Sequence, residues 1–170
     1  DYRLGLLKTL GVTIRTSMTA SEAAIKAYAP DFAIVATGAA PRAHPFDVSR
    51  LAASVTVMHA WEALRDPSKL AAAKRITIIG GGMVGAEAAD LFSLQGKHCV
   101  IVEMLATIAA GMARNNRIEL TDRLAERGTE MLTRVRVAHA AGTTLTLRHD
   151  DGSTRDVNVG DALLFATGPV

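Results

Sequence analysis

The stretch from Arg75 to Glu103, RITIIGGGMVGAEAADLFSLQGKHCVIVE, restricts the fold of this chain more than any other. It begins with a short β-branched run, Ile76 to Ile79, of the kind expected in a parallel strand covered on both faces. The run passes directly into Gly80-Gly81-Gly82-Met83-Val84-Gly85, a G-x-G-x-x-G turn that opens a helical segment. Each spaced glycine has a physical task. Gly80 can make the tight turn out of the strand, Gly82 lets a ligand approach the backbone, and Gly85 lets the helix lie close to the sheet. The helix N-terminus then presents unpaired N–H groups and the positive end of its macrodipole, which stabilise an anion without a lysine.

A second apolar strand, His98 to Glu103, ends in a carboxylate a little under 20 residues beyond the motif, close to the spacing at which an acid meets an adenosine ribose. Strand, turn, helix, strand and acid in this order predict a dinucleotide site. Its candidate residues are Gly80, Gly81, Gly82, Met83, Val84 and Gly85, with Glu103 and Met104 at the ribose. A carboxylate accepts hydrogen bonds from ribose hydroxyls and repels a 2′-phosphate. Met104 to Met112 contains no Arg or Lys to receive that phosphate, so NADH is expected in preference to NADPH. The alternative for Glu103 is an ordinary solvated strand end.

With 170 residues, about half of them hydrophobic, the chain can bury one sizeable core. The net charge of +2 comes from nearly balanced acids and bases without a basic run, which argues against a nucleic-acid partner. No apolar run approaches a membrane span and no signal-peptide pattern opens the chain, so a cytoplasmic setting without a membrane partner is expected. Cys99 is the sole cysteine and sits within the second strand, which excludes a dithiol mechanism inside this chain and favours a small buried hydrophobe. His44, His59, His98, His139 and His149 show no ligand spacing, and no metal site is expected. Trp61, Met83, Met104, Met112 and Met131 are read first as packing residues.

Along the rest of the chain, helices are expected over Leu4 to Leu10, Ser21 to Ala27, Ala60 to Arg65 and Asn116 to Arg127, the last capped by Gly128. Strands are expected over Val12 to Arg15, Phe32 to Ala36, Val55 to Met58 and Thr129 to Arg134. Pro41 and Pro45 lie in an aperiodic stretch, Ala39 to Ala53, that reads as a crossing linker. Leu145 to Arg148 and Arg155 to Val159, joined by Asp150-Asp151-Gly152-Ser153, read as a small antiparallel insert with a solvated face. Asp161-Ala-Leu-Leu-Phe-Ala-Thr-Gly then repeats Asp31-Phe-Ala-Ile-Val-Ala-Thr-Gly. The expected class is α/β: a three-layer Rossmann-like parallel sheet with a small antiparallel β insert, plus a fragment of a second sheet.

Two D-x-x-x-x-A-T-G strands bracketing one glycine unit resemble the flavoprotein reductases in which an FAD domain is interrupted by an NAD(P)H domain. LKTLGVTIRT, DFAIVATGAAPR and IIGGGMVGAEAADLFSLQGKHCVIVEM together resemble the C-terminal region of the 2,4-dienoyl-CoA reductase, 2-enoate reductase and trimethylamine dehydrogenase family. The resemblance implies that residues 1–40 are the tail of an FAD-binding domain and 41–170 an NAD(H)-binding domain. It implies as partners the remaining FAD domain and an N-terminal FMN barrel with an iron–sulfur cluster, all in a longer protein. It also places Thr37 and Gly38 near the flavin crossover, and Thr167 and Gly168 near the nicotinamide. Glu87 matches an acid directed towards the nicotinamide end, or else is a first-turn acid satisfying the helix dipole.

The implied chemistry is hydride transfer from NADH to FAD, with orientation and exclusion of water in place of an acid–base residue in this chain. The isolated chain is expected to bind nucleotide without turning over. A structural ADP-binding module uses the same pyrophosphate and ribose contacts and stays open. An S-adenosylmethionine methyltransferase, a more remote reading, leaves the twin ATG strands unexplained. A short-chain dehydrogenase lacks its Tyr-x-x-x-Lys pair here, since Leu6 and Phe32 stand four residues after Tyr2 and Tyr28.

Overall fold

A computed structural model describes residues 2–168, and the chain divides into two units, Asp1–Gly38 and Ala39–Val170. The first unit holds two short helices, α1 (Tyr2–Thr9) and α2 (Glu22–Tyr28). Ser21 caps α2 by accepting a hydrogen bond from the Ala24 N–H at 3.2 Å, and Glu22 pairs with Lys26 one turn on. Neither strand expected here forms. Val12 to Arg15 and Phe32 to Ala36 make no ladder, and Phe32, Ile34 and Val35 are 91%, 92% and 83% exposed. A strand exists through its inter-strand hydrogen bonds, and within residues 2–38 these two apolar runs do not pair with one another. The expected fragment of a second sheet is therefore not formed among these residues.

The second unit runs β1 (Thr56–His59), α3 (Ala60–Arg65), β2 (Arg75–Ile79), α4 (Met83–Leu94), β3 (His98–Val102), α5 (Arg114–Glu126) and β4 (Glu130–Leu132). It continues with β5 (Val135–Ala141), β6 (Thr144–His149), β7 (Thr154–Asn158) and β8 (Ala162–Phe165). A five-stranded parallel sheet has the order β1-β8-β2-β3-β4, and β5-β6-β7 form a separate antiparallel sheet.

Strand alternation assigns the two faces of the parallel sheet. Ile76, Ile78, Cys99, Ile101, Ala162 and Leu164 point to a core shared with Ala86, Ala89 and Phe92 of α4 and with Leu120 and Leu124 of α5. Ile79, Val102, Leu163 and Phe165 point the other way, against Leu145, Leu147 and Val157 of the antiparallel sheet. The antiparallel sheet is thus a structural layer that shares the covering of this face with Phe46, Val48 and Leu51 of the linker. Its first strand, β5, alternates in sequence only over Val135-Arg136-Val137, because Ala and His interrupt the pattern beyond and the register slips between Val137 and His139.

Three hydrogen bonds help to fix β8 beside β2. The Asp161 carboxylate accepts from the Lys74 and Arg75 amides at 2.7 and 2.9 Å, and the Thr77 hydroxyl donates to the Val159 carbonyl at 2.9 Å. The terminus of α5 closes as expected at Gly128. The Thr129 N–H reaches the Leu124 carbonyl and the Gly128 N–H reaches that of Ala125, both at 2.9 Å, which is a Schellman closure.

Candidate functional site

The sheet order decides the layout of the site. β2 lies between β3 and β8, so the glycine turn after β2 is flanked by the C-terminal end of β3 on one side and that of β8 on the other. Ligands of open parallel sheets bind at this edge. A cleft of about 580 Å³ lies there. Its wall includes Gly80, Gly82, Met83 and Val84 in the middle, Glu103, Met104 and Leu105 after β3, and Ala166, Thr167 and Gly168 after β8.

The glycines have distinct spatial roles. Gly80 adopts φ +100°, and a Cβ there would lie 2.6 Å from the Ala166 carbonyl oxygen. A Cβ on Gly85 would lie 1.9 Å from the Gly80 carbonyl oxygen, so only glycine lets α4 begin this close to the turn. Gly81 faces away from the cleft: a Cβ there would meet Ile108 Cδ1 at 2.6 Å and Glu103 Cβ at 3.0 Å. Gly82 differs, because nothing lies within 4 Å of where its Cβ would be. Gly82 is also the N-cap of α4, and no side chain caps that helix. The first-turn amides of α4 therefore meet open space, the arrangement that receives an anion.

Glu103 is 7% exposed. Its Oε2 accepts from the Gly81 N–H at 2.6 Å, and its Oε1 accepts from the Leu105 N–H at 2.7 Å. Far from being a solvated strand end, the carboxylate ties the glycine turn to the end of β3. Each oxygen retains a lone pair for a ribose hydroxyl. The segment after Glu103, which has no readable periodicity, is held by the same turn through the Ala109 N–H, which donates to the Gly81 carbonyl at 2.6 Å.

Other predicted residues are placed differently. Glu87 is exposed in the second turn of α4, which carries no acid in its first turn, and it is not among the cleft-lining residues. Thr37 and Gly38 end the first unit, whereas Thr167 and Gly168 lie in the second, in the cleft wall.

Several lining residues carry no motif in the sequence. Pro45 and Phe46 come from the aperiodic linker, and Val135, Arg136 and Val137 come from β5. Alternation in Val135-Arg136-Val137 was the available signal for the latter, and only the fold brings it to Glu103. The linker is held by ring contacts: His44 stacks on Phe165 with centroids 4.2 Å apart, and Phe46 tilts against the same ring at 5.3 Å. Burial, with the neighbouring His59, holds the His44 imidazole below the usual histidine range. Burial also pushes the Cys99 thiol up to about 12, so it is protonated and inert.

Comparison with known proteins gives a consistent result. The chain is 32% identical over 133 residues to the NADH oxidase of Thermoanaerobacter brockii, a match covering 78% of this chain and 20% of that protein. It is 30% identical over 151 residues to the bilirubin reductase of Mediterraneibacter gnavus, covering 89% of this chain and 23% of the relative. With the cinnamate reductase of Clostridium sporogenes the identity is 27% over 170 residues, covering 98% and 23%. The chain thus spans about a fifth to a quarter of the length of these relatives. Among solved structures, a 2-naphthoyl-CoA reductase superposes with a TM-score of 0.75 at 21% identity, over 98% of this chain and 24% of that one, which establishes the shared fold. No helix among the described residues is long and apolar enough to cross a membrane. Residues 7–170 match the family model described as pyridine nucleotide-disulphide oxidoreductase, and the chain belongs to that family.

Proposed function

We propose that the cleft binds a reduced pyridine dinucleotide and presents its nicotinamide for hydride transfer to FAD within a longer flavoprotein. The uncapped N-terminus of α4 at Gly82, set midway between Glu103 and Thr167-Gly168, carries this reading. The pyrophosphate lies on the Gly82, Met83 and Val84 amides, the adenosine ribose against Glu103, and the nicotinamide towards Thr167 and Gly168. When bound, the nicotinamide supplies a hydride from C4, and FAD takes it up at N5. The residues of this chain bind and orient; none is assigned proton transfer.

Residues 1–40 supply the FAD-domain tail in this reading, with Thr37 and Gly38 near the flavin. The names of the bilirubin and cinnamate reductases, together with the motif order, support a parent protein of the 2,4-dienoyl-CoA reductase and 2-enoate reductase type. In such a parent an FMN barrel with an iron–sulfur cluster would be a further partner.

Gly82→Leu in the full-length protein tests the site. Gly82 has φ −65° and ψ −171°, which any residue adopts, and apart from its chain neighbours nothing lies within 4 Å of the added Cβ. The variant should melt like the parent while losing NADH binding by calorimetry and NADH-driven bleaching of the flavin absorbance. Undiminished binding would overturn the assignment. Tight binding of NADH by the parent without any flavin bleaching would support a nucleotide-holding module in place of a redox one.

A further inference from the structure

Thiols and thioethers are the readily oxidised groups of a protein, and the only thiol here, Cys99, is buried. Of the six methionines, Met58, Met112 and Met131 pack partly buried against the core, and Met18 is exposed in the first unit. Met83 and Met104 differ from these: each is 49% exposed, and both line the cleft. Met104 has a further feature. Arg136 reaches it from β5, 32 residues on, and sets its Nη1 3.2 Å from the thioether sulfur.

We propose that Met104 is a reversible oxidation site: hydrogen peroxide converts its thioether to the sulfoxide, Arg136 holds the new oxygen, and the cleft then loses affinity for dinucleotide. The loss of affinity rests on reading the cleft as a dinucleotide site; the site of oxidation does not. In the step, a sulfur lone pair attacks one peroxide oxygen and the O–O bond breaks. The departing hydroxide takes the proton of the transferred oxygen and leaves as water, so sulfur loses two electrons and peroxide gains two. Three observations carry the proposal. First, the exposure of Met104 lets peroxide reach the sulfur. Second, the transferred oxygen gathers negative charge as the O–O bond breaks, and the Arg136 guanidinium is already in place to stabilise it. A thioether accepts hydrogen bonds weakly and a sulfoxide oxygen strongly, so the contact tightens on oxidation. Third, the backbone on both sides of Met104 is held, because the Glu103 carboxylate accepts from the Gly81 amide and from the Leu105 amide. The added oxygen is therefore accommodated in the cleft. There it turns an apolar wall beside Glu103 into a polar one bridged to β5.

Brief treatment of the full-length flavoprotein with hydrogen peroxide, quenched by catalase, tests this. Peptide mass spectrometry should find one added oxygen on Met104 before Met83, and NADH affinity should fall about tenfold in step with it. Methionine sulfoxide reductases should remove the oxygen and restore the affinity. Saturating 5′-ADP should slow the oxidation by covering the site. Met104→Leu, compared with itself before and after peroxide, should keep its NADH affinity within about twofold, which separates Met104 from oxidation elsewhere in the protein. Arg136→Ala opens access to the sulfur, so a purely steric account expects faster oxidation. Stabilisation by the guanidinium expects oxidation slowed about threefold, the scale of an exposed charge contact. Oxidation at Met83 ahead of Met104, or an undiminished rate in Arg136→Ala, would overturn the proposal. So would full conversion of Met104 with NADH binding intact. A parent that binds no dinucleotide before treatment would overturn the nucleotide reading, and the effect on affinity with it.

Discussion

Replacing Glu103 by Ala separates a residue that only touches ribose from one that also holds the turn. Two short hydrogen bonds vanish, from the Gly81 N–H at 2.6 Å and the Leu105 N–H at 2.7 Å. A hydrogen bond to an ionised group contributes about 1.5–3 kcal/mol. Gly81 is buried, so its amide is left without a partner and the full cost applies there. Leu105 is 52% exposed, so water can replace much of the second bond. Together the loss is about 3 kcal/mol, a large share of the 5–15 kcal/mol that holds a typical domain. For a domain of this size that lowers the melting temperature by roughly 10 °C. Glu103→Gln keeps one carbonyl acceptor but turns an NH2 towards an N–H donor, so it should recover about half of the loss. Thermal melts of both variants in the full-length protein, read beside NADH titrations, give the answer. Glu103→Ala melting within about 2 °C of the parent, with NADH binding alone impaired, would refute the scaffold role and leave only the ribose contact.

Gly85→Ala should be more severe than an ordinary small substitution, because its Cβ would lie 1.9 Å from the Gly80 carbonyl oxygen and 3.2 Å from Ala166 Cβ. A destabilisation above about 2 kcal/mol with lost nucleotide affinity is expected, and a parental urea midpoint would contradict it. The Arg75 and Lys74 amides hold the Asp161 carboxyl below the usual carboxylate range. Its contribution is therefore present above the unfolded pKa, about 4, and is lost as pH falls through the lower folded value. The group is exposed, so the contribution is about 1 kcal/mol or less. Asp161→Ala should flatten that part of the profile in urea titrations from about pH 6 to 3, and an unchanged slope would count against it.

Much of the second unit is legible locally. Periodicity gives α3 and α5 within a residue or two, the β-branched runs give β2 and β3, and Gly80, Gly82 and Gly85 announce a turn whose three tasks recur in three different surroundings. These features depend on neighbours in sequence, such as the residue that must cross φ +100° or the alternation that fills two faces of a strand. The strands expected at Val12 to Arg15 and Phe32 to Ala36 show the limit of the same reasoning. An apolar run declares a capacity for pairing, but the ladder itself needs a second run, and residues 2–38 do not form one.

The sequence by itself determined that a strand, a glycine turn, a helix and an acid follow in the order a dinucleotide requires, because that information is carried by backbone freedom and short-range pattern. Tertiary structure decided what surrounds them. It turned the small insert into the layer that covers Leu163 and Phe165, and placed Phe46 and Arg136 in the wall of the cleft. It also engaged Glu103 with the turn it was expected only to accompany. Those outcomes depend on which distant segments reach the same edge of the sheet. Strand order and register settle that, and neither is encoded in any single stretch of the chain.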